Sequence, residues 1–197
     1  ALSVFGTALA VVGFAGGFAW DAWLLKALPW VILKTERGNF VGGIRHFCNL
    51  DDGTCTQLSE LDCEETLAPT ACEVCQATTD GVLIPVIVAV LTYVTFGHNT
   101  MRRYNGDDSH RVKVMSCFAG LFGGLNFLSI LVCYWHSCVR VQAMEEGRQA
   151  HMGVGLLCIG IGASLLKIVC GVLHLGLPVE DDGASMPLKE RTEDGAG

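Results

Sequence analysis

The sequence predicts an all-α membrane protein built as a four-transmembrane-helix bundle. Three observations carry that reading. The apolar residues gather into four long blocks, one short basic loop separates two of those blocks, and cysteines crowd the opposite side. Of the 197 residues, 51% are hydrophobic, and the mean hydropathy is +0.43. A soluble domain seldom strings apolar residues into four charge-poor runs, because each buried helix normally keeps a polar face toward water.

Residues 1–20, 81–97 and 114–135 carry no charge, and residues 152–177 carry only Lys167. About 20 apolar residues cross the hydrocarbon core as a helix. The predicted spans are therefore about 1–26, 81–97, 114–135 and 152–177, with the second borrowing flanking residues. Block one lacks a basic leader and exceeds the apolar core of a signal peptide, so it reads as a span. Asp21 and Lys26 sit near its outer end beside Trp20 and Trp23, which suit an interfacial belt.

Four spans put both termini on one side. Loop 98–113 holds Arg102, Arg103, Arg111 and Lys113, whereas segment 31–80 holds nine acids against three Lys or Arg. The positive-inside rule then places 98–113 in the cytoplasm or its equivalent. Segments 27–80 and 136–151 fall outside, and the acidic tail 178–197 falls inside. The net charge of −7 arises in the outer segment and the tail. Neither offers the clustered basic residues a nucleic-acid surface requires.

Five of ten cysteines, Cys48, Cys55, Cys63, Cys72 and Cys75, lie in the long outer segment, and Cys133 and Cys138 lie at the outer end of span three. Crowding on one face suits an oxidising compartment and disulfides, whose pairing the spacing leaves open. A zinc or thiol redox site at Cys72-Glu73-Val74-Cys75 is the minor alternative, because no second pair of that spacing exists. Cys117, Cys158 and Cys170 read as packing residues within spans.

Small residues four apart, Gly13 with Gly17, Gly120 with Gly124 and Gly160 with Ser164, mark faces where helix backbones can approach closely. Asn126 sits mid-span and wants a polar partner in the bundle or in another subunit. Lys167 is expected to snorkel to the inner headgroups.

Pro29 ends the first helix, since it cannot continue one without loss. Val31, Ile32 and Leu33 then read as a strand, Arg37-Gly38-Asn39 as a turn, Phe40-Val41 as a second strand and Gly42-Gly43 as a break. Asp52-Gly53 is a hairpin signal between Cys48 and Cys55, and a disulfide there would staple the hairpin.

This stretch resembles the claudin superfamily, which includes claudins, the peripheral-myelin and epithelial membrane proteins, and the calcium-channel gamma subunits. Claudins carry Ala-Leu-Pro-x-Trp at the end of span one, and Ala27-Leu28-Pro29-Trp30 stands in that place here, without the residue between Pro and Trp. Their Gly-Leu-Trp-x-x-Cys is matched by Gly43-Ile44-Arg45-His46-Phe47-Cys48, and Cys55 stands as the second cysteine. Arg45 replaces the family tryptophan, and Cys63, Cys72 and Cys75 have no claudin counterpart. The likeness runs over residues 1–177. It implies a small disulfide-stapled antiparallel β-sheet in the first outer segment, seated on the bundle, with Pro29, Trp30, Gly43 and Cys48–Cys55 structural.

The chain reads as non-enzymatic and without a metal, because it has no Ser-His-Asp order, no HExxH and no glycine phosphate loop. The expected role is an accessory or structural subunit of a larger membrane complex, working through lateral and outer contacts with other integral membrane proteins and with membrane lipid. A claudin-like cell-contact barrier or cation pore is the first alternative, using an outer acidic face of Asp51, Asp52, Glu60, Asp62, Glu64 and Glu65. The second is a linker subunit of a photosynthetic or respiratory complex. There a bound lipid or pigment would be the only cofactor, and His98, His136, His151 and His174 the candidate ligands.

Overall fold

The structure, a computed structural model, describes residues 2–66, 68–107, 109–144 and 147–177. The acidic tail 178–197 lies outside the described residues. The protein is mostly helical, with a small antiparallel sheet and disulfides in its N-terminal part. Three helices are long and apolar enough to cross a membrane: α3 (Pro69–Tyr104), α4 (His110–Ala143) and α5 (Val154–Gly176).

Helix α1 (Leu2–Gly17) is apolar but shorter, about 24 Å at 1.5 Å per residue. The predicted first span does not run unbroken to residue 26. The helix stops at Gly17, whose carbonyl accepts from the Ile44 amide, 2.7 Å away, in the outer segment. A separate turn of helix, α2 (Ala22–Ala27), restarts where Asp21 accepts from the Leu24 amide at its N-terminus. Capping a restart is the ordinary use of aspartate.

Helices α3 and α4 exceed the apolar blocks that located them. Their 36 and 34 residues span about 54 and 51 Å, well beyond a hydrocarbon core of about 30 Å. Helix accordingly takes in 98–104 and 110–113 of the loop expected over 98–113, and outer segment 27–80 ends at Ala68. The outer segment 136–151 begins as helix, because α4 continues to Ala143 through a wide π-helical turn, Trp135–Arg140. A second π-helical stretch, Gly160–Leu166, lies inside α5.

Five strands make one antiparallel sheet: β1 (Val31–Thr35), β2 (Gly38–Gly42), β3 (His46–Asn49), β4 (Cys55–Gln57) and β5 (Gln149–Met152), in the order β4-β3-β2-β1-β5. Strand β5 comes from residues read as the outer loop and the start of span four. It pairs Val31 with Met152 and Lys34 with Gln149. Gly38 takes φ +137° at the β1–β2 turn, a conformation that favours glycine. Successive side chains point to opposite faces, so the sheet has two distinct surfaces. Val41 and Cys48 join Ala19 and Leu25 of the α1–α2 corner in one apolar cluster. Leu33, Phe40 and Phe47 face the opposite way, toward α3 and α4.

Trp30 joins these parts. It is fully buried, its indole Nε1 donates to the Gly13 carbonyl at 2.8 Å, and its ring meets Tyr134 edge-on at 5.1 Å. Its backbone donates to Gly42 and accepts from Gly153. Replacing Trp30 with alanine is expected to cost about 3–5 kcal/mol, and Trp30→Phe, which keeps a ring but no donor, less. Chemical unfolding in detergent measures both, and no loss for Trp30→Phe would show that the indole hydrogen bond contributes nothing.

Candidate functional site: the outer module and a buried lysine

The residues that carry the family resemblance converge. Gly43 follows β2 where a Cβ would lie 2.5 Å from the Gly17 carbonyl oxygen and 2.8 Å from that of Gly16. Its own carbonyl accepts from the Tyr134 hydroxyl at 2.8 Å. A Cβ on Gly17 would meet the Trp30 ring at 2.6 Å. One contiguous knot thus holds Gly13, Gly17, Trp30, Gly43 and Tyr134, while Pro29 turns the chain and accepts from the Gly155 amide at 2.9 Å.

Three disulfides fasten the module: Cys48–Cys55, Cys63–Cys72 and Cys75–Cys138. Cys48 and Cys55 are direct cross-strand partners on β3 and β4. Cys72 and Cys75 go to different partners, which removes the zinc and redox readings of that pair: Cys72 ties the start of α3 to the turn before it, and Cys75 ties α3 to α4. Among the described residues no group of His, Cys, Asp or Glu is placed to hold a metal ion.

Asp51 and Asp52 precede β4, and Glu60, Asp62, Glu64 and Glu65 follow it. Several are used in local turns. Asp51 accepts from the Asn39 amide at 3.1 Å, and Asp62 from the Glu64 amide at 3.0 Å. Asp52 accepts from the Thr54 hydroxyl at 2.6 Å and its amide at 2.8 Å. Those two bonds hold the Asp52 carboxyl below the usual carboxylate range. A depressed folded value means that this stabilisation is present above the ordinary carboxylate pKa and fades as pH falls through the folded one. Wild type should therefore melt above Asp52→Asn at neutral pH and lose that margin in acid. A margin constant with pH would dismiss the carboxylate as its source.

The helix-packing glycines lie at backbone crossings. A Cβ on Gly13 would sit 2.5 Å from Ile159, one on Gly120 2.6 Å from the Gly171 Cα, and one on Gly124 3.0 Å from the Ser164 carbonyl. Gly160 meets only Leu131, at 3.1 Å. Asn126 finds its partner inside the bundle, donating to the Pro85 carbonyl at 2.9 Å. His98, His136 and His151 are exposed, and His174 stacks on Phe96 at 5.4 Å.

Lys167 corrects the snorkelling expectation. It is 1% exposed and points into the bundle. It lies thirteen residues from Val154 and nine from Gly176, hence about 20 and 14 Å along the axis from the ends of α5. Its ammonium donates to Thr92 Oγ1 at 2.9 Å and lies 4.3 Å from the Tyr93 ring centroid and 5.7 Å from that of Phe127. Gly123 leaves the room, for a Cβ there would collide with Thr92 and with the lysine Cε at 3.0 Å. Among the described residues no carboxylate pairs with it. No sequence signal told Lys167 apart from a snorkelling lysine, because its direction depends on the glycine opposite, on α4. A buried cation held this way in an apolar helix bundle points to function more than to stability. Lys167→Met should remain folded with an equal or higher melting point, and Gly123→Ala should cost about 1–3 kcal/mol. A lower melting point for Lys167→Met would make the lysine a net stabiliser.

Searches of protein-family models and of curated proteins return no match to this chain.

Proposed function

We propose that the chain is a non-enzymatic accessory or structural subunit of a larger membrane complex, in a claudin-like four-span fold. In this reading α1 supplies the fourth span, the basic loop faces the cytoplasm or its equivalent, and the sheet stands on the oxidising side. The observation that carries it is the rigid mounting of the sheet. Trp30 and Tyr134 lock it to the bundle, and Cys75–Cys138 clamps the projecting ends of α3 and α4 beneath it. A platform so fixed presents a constant surface to a partner at little ordering cost, which favours association.

Two features add support. Large apolar side chains such as Ile84, Val94, Phe118 and Leu165 stay exposed along the long helices, available to lipid or to a neighbouring protein. Three of the outer acids, Asp51, Asp52 and Asp62, are engaged in local turns, which favours a subunit over a cation-selective pore.

The test is the native mass of the protein extracted from its own membrane in mild detergent, with mass spectrometry of co-migrating chains. A single large complex of constant composition is the expected result. Migration alone, or as a ladder of homo-oligomers, would overturn the subunit role and leave a cell-contact role in its place.

A further inference from the structure

The sheet does not close against the helices. Between its α3-facing surface and the 58–75 stretch lies a cavity of about 280 Å³. That volume is near the lower end of small-molecule sites, about 300–1,000 Å³. The strand register sets its polarity. Val31 pairs with Gly42 at one end of the β1–β2 hairpin and Thr35 with Gly38 at the other. Since Pro29 and Trp30 seat the first end on the bundle, the second points away from it.

Toward the bundle the lining is Phe47, Leu58 and the Cys75 disulfide, and midway it is Leu33 and Phe40. Asn49 and Thr54 lie level with Phe40, and at the far end the lining is Thr35, Arg37 and Arg148. Arg148 is held by the buried Gln142, to which it donates. The Arg37 guanidinium is exposed and forms no ion pair among the described residues. Glu65 also lines the cavity. Apolar walls give water few partners, and an apolar chain gains by replacing it.

We propose that this cavity binds a free monocarboxylate amphiphile of medium chain length. The acyl tail lies between the sheet and α3, and the carboxylate sits at Arg37 and Arg148, where a guanidinium makes charge-assisted bonds to a carboxylate. The proposal stands apart from the subunit reading, since it concerns only the interior of the outer module.

The protein in phosphatidylcholine nanodiscs is titrated with dansyl-labelled undecanoic acid, with protein-free nanodiscs as the blank for partition into lipid. Saturable fluorescence above the blank is expected, displaced by dodecanoate at about tenfold lower concentration than by dodecanol. Thr56→Trp fills the cavity from an exposed lining position and should abolish the saturable signal. Arg37→Gln alters only the exposed rim and should erase the preference for dodecanoate over dodecanol. Should Thr56→Trp fail to fold, Arg37→Gln decides alone. Equal displacement by acid and alcohol in wild type overturns the proposal, as does a signal no greater than the blank or a preference untouched by Arg37→Gln.

Discussion

The burial of one indole organises the junction between the sheet and the helices of this protein. Trp30 sits where the first helix ends, the sheet begins and α5 starts, and every polar atom it brings there has a partner. Nε1 reaches Gly13, the amide reaches Gly42, and the carbonyl takes the Gly153 amide. The glycines around it follow from its size. Gly17 leaves room for the ring, and Gly155, whose Cβ would stand 3.0 Å from the ring, does the same from α5. Burying a large aromatic ring is favourable only when its N–H is satisfied, and here a helix carbonyl serves.

Stiffness then spreads outward through a hydrogen bond and a disulfide. Tyr134 bonds Gly43, and four residues further along α4 Cys138 takes up Cys75 of α3. The two helices, about 20 Å longer than a bilayer core is thick, brace one another there. The sheet leans on them over one surface and on the α1–α2 corner over the other. Between its α3-facing surface and the start of α3 the cavity remains.

The interior of the bundle follows different rules. Apolar burial does not drive helices together in lipid, so close backbone contact does, as at Gly120 against Gly171. Against that background Lys167 is costly. It is tolerated because Thr92 accepts a hydrogen bond, because Tyr93 and Phe127 offer ring faces, and because Gly123 yields its space. A bundle selected for stability alone would place a leucine there.

The sequence by itself determined what depends on composition and short-range order. Long charge-poor runs locate the apolar helices, Asp52-Gly53 marks the hairpin, and crowded cysteines announce disulfides, because each of these acts through neighbours in the chain. Spacing did not show how far α3 and α4 outrun their apolar blocks, because helix persists wherever packing supports it, whatever the hydropathy. Only the tertiary structure decided the long-range matters. It paired Cys75 with Cys138 across 63 residues, added β5 to the sheet edge and interrupted the first helix at Gly17. It also turned Lys167 inward rather than toward the headgroups. These outcomes depend on what stands opposite in space, and a lysine in an apolar run reads the same whether a glycine or a leucine faces it.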